Sequence, residues 1–172
     1  PVDEYKTCDN DFHVQMPWGY CGNEIFNGVR KSEIDVVIAE RLNAFSVVMG
    51  NKWEKDLLDT SWKYALAAQH HDVTICGLLD LARRFIPTSL KASEEVKEKS
   101  LKSIKESLKA NDNNEGSKLV VNTNSFAIDE WIDDGDNVLH IQLPPFTAKV
   151  KSYNELSKDT FDYTWDKNNG LL

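Results

Sequence analysis

Apolar residues recur at helical spacing from residue 31 to about 110 and at strand spacing after residue 117. Ile34, Ile38, Leu42, Phe45 and Met49 fall four, four, three and four residues apart, which is one face of an α-helix. Ser32 followed by Asp35 resembles a capping box and predicts the helix start, and Gly50 predicts its end. Asn51 with Glu54 predicts a second cap. It leads into a face of Trp53, Leu57, Trp62, Ala65, Leu66 and Gln69, with both tryptophans expected in the core. The run GLLDLARRFIP is expected to stop at Pro87, because proline breaks the backbone hydrogen-bond ladder. A third helix fits SEEVKEKSLKSIKESLKA, with Val96, Leu101, Ile104 and Leu108 along a narrow stripe and the charges in solvent. Three amphipathic helices with short connections predict an antiparallel bundle.

After NDNNEGS the period changes to two. KLVVNTNSFAIDEWI and NVLHIQLPPFTAKVKSY predict strands separated by the turn signal DDGDN. The last ten residues, with Asn168, Asn169 and Gly170, suggest one more turn, so the β part holds two to four strands. Residues 1–30 show little periodicity and predict an irregular segment, the tail of something larger. The expected fold is mainly α, a three-helix bundle at 31–110 followed by a few β-strands at 118–172, α+β overall.

Composition narrows the function. The 172 residues are 41% hydrophobic, enough for a packed core, and carry a formal charge of −8 with a pI near 5.0. That balance disfavours nucleic acid and anionic membrane surfaces as partners. No run approaches the ~18 apolar residues of a membrane helix. Cys8, Cys21 and Cys76 are odd in number and form no C-x-x-C pair, so neither a disulfide framework nor a thiolate zinc cluster is expected. Cys76 is expected as a small buried filler.

The candidate chemistry lies in YALAAQHHDVTICGLLDLARRF, where His70, His71 and Asp72 interrupt an apolar helical run. Consecutive helical residues point about 100° apart, so His70 and His71 do not chelate one ion comfortably. One histidine would ligate, while the other, or Asp72, would support it or meet a substrate. His13, in a loop, and His140, in a strand, fall at no metal spacing, so the chain does not complete a metal site from its own residues.

The stretch AAQHHDVT, following a helix that contains Trp62, resembles the Q-H-H-D-A-x-T-G-T signature of the α-mannosidases of glycoside hydrolase family 38. NGVRKSEIDVVIAERLNAFSVVMG is similar in order and length to that family's helical middle domain, and LVVNTNSFAIDEW and LPPFTAKVKSY to the opening of its β region. The resemblance runs from about Met16 to Tyr153. The family's T-G-T loop is replaced by Thr74, Ile75, Cys76 and Gly77, and no segment matches the family's upstream catalytic domain. The resemblance implies a fragment of a zinc-dependent retaining α-mannosidase: the end of the catalytic domain, the middle domain and the first β-strands. His71 matches the zinc ligand, Asp72 a carboxylate that contacts sugar hydroxyls, and His70 is placed beside the substrate. The nucleophile, the acid/base and the remaining zinc ligands are expected upstream, so no catalytic residue is expected in this chain. The implied partners are a mannose-containing glycan and the rest of the parent enzyme. The chain alone is expected to be inactive and to hold no tightly bound zinc. Because neutral imidazole is the form that binds, zinc affinity in the parent is expected to fall below about pH 6. Trp18 and Tyr20 would pack a domain junction or line the sugar site.

Two other readings follow from the residues. A non-catalytic helical/β structural or interaction module needs no metal. A metal phosphohydrolase of the HD type would use His71-Asp72 with a histidine upstream and an aspartate downstream, for which His13 and Asp80 are the candidates.

Overall fold

A computed structural model of the protein describes residues 22–74, 78–108, 117–133 and 138–156. The elements in chain order are α1 (Gly22–Val48), α2 (Lys55–Ala68), the single turn α3 (His71–Thr74), α4 (Leu79–Ser107), β1 (Ser117–Asn122), β2 (Ile128–Asp133), β3 (Val138–Leu143), β4 (Thr147–Ser152) and the single turn α5 (Tyr153–Leu156). The mainly α, α+β class is as expected. The chain divides into two compact units between Ser103 and Ile104.

In the first unit α1, α2 and α4 form an antiparallel bundle. Asn43 on α1 meets Glu54 just before α2, while Ile25 and Val29 cluster with Ala68 at the opposite end. α4 runs antiparallel to α2: Ala82 packs near Ala68, Ser89 and Ser93 meet Ser61, and Lys99 meets Glu54.

The buried seams correct the expected faces. α1 buries Ile25, Val29, Ser32, Val36, Ala39, Asn43 and Ser46, α2 buries Leu58, Ser61, Ala65 and Ala68, and α4 buries Ala82, Ile86, Ser89, Ser93, Val96 and Ser100. Along these residues each step is three or four, a coiled-coil-like repeat; Asp35, Leu42 and Ala92 are buried beside it and Ile104 beyond it, so that Leu42, Ala65, Val96 and Ile104 lie inside as expected. Ile34 and Ile38, expected inside, are 57% and 41% exposed, and Trp53 and Leu66 are exposed as well. Small residues such as Ser32, Ala39 and Ser61 take much of the seam, and Ile34, Ile38 and Leu66 lie off it. Ser61, Ser89 and Ser93 satisfy one another, Ser32 and Ser100 bond to Val29 and Asn43, and Ser46 Oγ is buried with no hydrogen-bond partner among the described residues. Ser61 Oγ lies 2.5 Å from Ser93 Oγ, and Ser89 Oγ donates to the Ser61 carbonyl at 2.9 Å.

Three expected boundaries move for physical reasons. α1 starts at Gly22, so residues 22–30 are helical and not irregular; Ile25 and Val29 extend the seam, and Ser32 donates back to the Val29 carbonyl at 2.8 Å. The Asn51 side chain serves the helix before it, donating to the Ser46 carbonyl at 3.1 Å, while Asn43 Oδ1 reaches across to accept the Glu54 N–H at 2.9 Å. Pro87 does not end its helix. An interior proline costs about 3 kcal/mol, but the α4 seam passes through it unbroken, with Ile86 and Ser89 buried on either side.

In the second unit β1 pairs antiparallel with β4, and β2 with β3. The two ribbons are one long hairpin with a corner. Asn122 pairs with Thr147 on one side and Ile128 with Leu143 on the other, so residues 123–127 lie opposite residues 144–146. The excess on the first strand bends the hairpin, as a bulge does, and Val120 clusters with Leu139, Ile141, Leu143 and Leu156. Asn122, 1% exposed, ties the corner: Nδ2 donates to the carbonyls of Phe126, Pro144 and Leu143 at 2.8, 2.9 and 3.3 Å, and Oδ1 accepts the Asn124 N–H at 2.9 Å. Phe146 sits in the same corner at φ 46°, the one left-handed non-glycine among the described residues. α5 opens with a capping interaction in which Glu155 Oε2 accepts from both the N–H and the hydroxyl of Ser152, each at 2.8 Å.

Candidate functional site

The helical hydrogen-bond ladder of α2 runs out at Gln69, whose N–H reaches the Ala65 and Leu66 carbonyls at 3.2 and 3.1 Å. His70 then turns the chain. Its carbonyl accepts the N–H groups of Val73 and Thr74, both at 3.0 Å, and these bonds close α3. Val73 is buried with Ile25, Val29, Ala68, Ala82 and Ile86, which roots the turn in the bundle. Thr74, also buried, folds its hydroxyl back onto the His70 and His71 carbonyls at 3.3 Å each. With Val73 and Thr74 inward, a single helical turn must send His71 and Asp72 outward.

The resulting group is His70, His71 and Asp72, the one set of three potential metal donors among the described residues, with donor atoms all within 4.8 Å. The imidazoles stack with centroids 4.4 Å apart. His71 Nε2 lies 3.3 Å from Asp72 Oδ1, and its side chain is 72% exposed. A tetrahedral ion with bonds of about 2.0–2.1 Å holds neighbouring ligand atoms roughly 3.3–3.4 Å apart. The 3.3 Å between His71 Nε2 and Asp72 Oδ1 matches that spacing, and it equally matches a His–Asp contact that leaves the carboxylate to meet another group. His70 differs: its Nδ1 accepts the Asp72 N–H at 3.2 Å and is already engaged. One imidazole is a quarter of a full zinc set, so further ligands are needed for tight binding.

Asp80, the downstream aspartate of the phosphohydrolase reading, is 99% exposed and faces Arg83 at 3.5 Å, outside the metal-competent group. His140 belongs to the second unit, on β3. His13, Trp18, Tyr20 and all three cysteines lie outside the described residues.

Period-two reasoning could have found a second constellation. Asp129 and Trp131 on β2 stand opposite Gln142 and His140 on β3. Trp131 and His140 stack with centroids 4.3 Å apart and planes 5° from parallel. Asp129 receives His140 Nε2 at 2.5 Å and Gln142 Nε2 at 2.9 Å. The hydrogen bond from His140, then that from Gln142, holds the Asp129 carboxyl below the ordinary carboxylate range. Its members satisfy one another, as expected of a ladder that stabilises its hairpin.

Comparisons with protein-family models, with curated proteins and with solved structures return no match to this chain.

Proposed function

We propose that the chain is the middle section of a zinc-dependent retaining α-mannosidase and carries one corner of its active site. The observation behind this is the placement of Gln69-His70-His71-Asp72: at the end of the second helix of a three-helix bundle, with His71 Nε2 and Asp72 Oδ1 3.3 Å apart and exposed. In this reading His71 donates its Nε2 lone pair to the metal. Asp72 turns a carboxylate toward the sugar hydroxyls, and Val73 and Thr74 anchor both to the bundle. Bound zinc supplies a Lewis acid that orients the hydroxyls of the mannose ring. The two carboxyl groups that perform a retaining displacement are assigned to a region upstream of these residues.

The test is to extend the coding sequence upstream, express the longer protein and measure zinc content and hydrolysis of an aryl α-mannoside, with and without His71→Ala. Loss of zinc and turnover together supports the reading. Normal zinc and turnover in His71→Ala would remove it.

One observation favours a second reading. Ile34 and Ile38 make an outward apolar stripe on α1, as a helical interaction module would use to dock a partner. An extended protein without glycosidase activity that forms a stable complex, weakened by Ile34→Ser with Ile38→Ser, would select it.

A further inference from the structure

His70 and His71 are adjacent, stacked and both exposed, yet the hydrogen bonds treat them differently. His70 Nδ1 accepts the backbone N–H of Asp72, two residues on, at 3.2 Å. An imidazole nitrogen that accepts carries no proton, so the neutral ring holds its proton on Nε2. His70 thereby occupies the place of an N-cap, whose side-chain acceptor takes the N–H of the second helical residue. The His70 carbonyl closes the same turn from below, and the Thr74 hydroxyl closes it from the far side. Among the described residues no backbone N–H reaches a ring nitrogen of His71, whose Nε2 faces Asp72 Oδ1 at 3.3 Å; the other carboxylate oxygen lies farther from His70, 3.8 Å from its Nδ1.

We propose that His70 is a positioning residue, neither a metal ligand nor a sugar contact: its Nδ1 caps the Asp72 N–H and locks the turn that presents His71 Nε2 beside Asp72 Oδ1. Its catalytic consequence rests on the mannosidase reading; the cap itself does not. The division resolves the geometric difficulty of two neighbouring histidines on one ion. Only His71 needs to face the metal, and His70 spends its lone pair on the backbone.

Covalent structure supplies a discriminating pair of variants. Asn carries Oδ1 the same number of bonds from Cβ as His Nδ1, and Gln carries Oε1 the same number as His Nε2. A capping role is rescued by His70→Asn and not by His70→Gln; a ligand or sugar-contact role through Nε2 gives the reverse. The experiment uses this chain, labelled with nitrogen-15 and without metal. Imidazole spectra near pH 8 should show His70 unprotonated at Nδ1 and protonated at Nε2. Amide exchange at Asp72 should accelerate about fivefold in His70→Ala and His70→Gln and stay near the parent rate in His70→Asn. Zn2+ is then added alone and followed at His71. The concentration for half-effect, in the weak range of a single-imidazole site, should rise about fivefold in His70→Ala and His70→Gln and stay level in His70→Asn. A proton on His70 Nδ1, rescue by Gln in place of Asn, or a Zn2+ response at both His70 nitrogens would overturn the proposal. If the extended protein lacks zinc and glycosidase activity while the Asn/Gln pattern holds, the cap stands and the mannosidase reading falls.

Discussion

Asn122→Ala removes the tie at the corner of the hairpin, and its cost can be worked from the bonds. The side chain is 1% exposed and serves three carbonyls and one N–H. Its two amide hydrogens cannot serve three acceptors fully, so the Leu143 contact, the longest at 3.3 Å, is the shared one. A buried polar group left without a partner costs about 1–3 kcal/mol. The stranded groups at Phe126, Pro144 and Asn124 are only part-buried, so water recovers some of this. The net expectation is about 2–4 kcal/mol lost from the second unit. Asn122→Asp sharpens the test. It keeps the acceptor for Asn124 but turns a carboxylate oxygen toward three carbonyls, so its folded-state pKa is raised. At neutral pH it should cost at least as much as alanine. As pH falls through the raised value, protonation restores one donor, and part of the loss should return. Urea titration followed by amide exchange in β1 and β3 isolates this unit, which fluorescence from five tryptophans does not. An alanine variant within about 0.5 kcal/mol of the parent, or an aspartate variant equal to it at pH 7, would refute the reasoning.

Four further outcomes are expected. Gly28→Ala should destabilise the bundle by about 1 kcal/mol despite better helix propensity, because the new Cβ would sit 2.9 Å from Ile86 Cγ2 and 3.0 Å from Ile86 Cδ1; Ile86→Val, which removes Cδ1 and lets the shorter side chain shift, should offset part of the loss in thermal unfolding. Asp129 has a depressed folded pKa, so its contribution is present above the ordinary carboxylate pKa and lost as pH falls through the folded value; Asp129→Asn should flatten the acid limb of a stability–pH profile. In the extended protein, His71→Ala should lower zinc and turnover together, whereas Asp72→Ala should lower turnover and leave most zinc bound, as metal analysis of the two variants would show. On the mannosidase reading, which assigns both reacting carboxyl groups to a region upstream, the 172-residue chain alone should not hydrolyse an aryl α-mannoside with added zinc.

Element types were legible because helix and strand periods differ so clearly on either side of NDNNEGS. The packing faces were legible only in part: Leu42, Ala65, Val96 and Ile104 are buried as expected, and Ile34 shows what was missed. Hydrophobic periodicity weights the largest apolar side chains, while the α1 seam also runs through Ser32, Val36, Ala39, Asn43 and Ser46. Hydropathy scores serine as surface; only a partner such as Ser93 opposite Ser61 makes it core, and that pairing is tertiary information. Pro87 and the α1 start failed alike, with local signals overridden by burial of Ile86 and Ile25. At the site, the residue triplet was visible and its position just past α2 was close to expectation. The unequal duties of the two histidines were not, since they depend on one backbone N–H.

The corner in the β unit also sets an order of assembly. Only residues 134–137 separate β2 from β3, so closing that ribbon costs little chain entropy. Once it is zipped, Asn122 and Thr147 are brought near each other and β1–β4 closes as a short extension. The Asn122 bonds to Phe126 and Asn124 are local, but those to Leu143 and Pro144 cross to the other strand and can form only after the second arm arrives. Folding should therefore travel from the tip toward the base. Substitutions at Ile132 or Leu139 would slow folding, whereas loss of Asn122 would chiefly speed unfolding. Asn122 thus acts as a late catch, and the lifetime of the folded hairpin is governed by it more than the rate at which the hairpin forms.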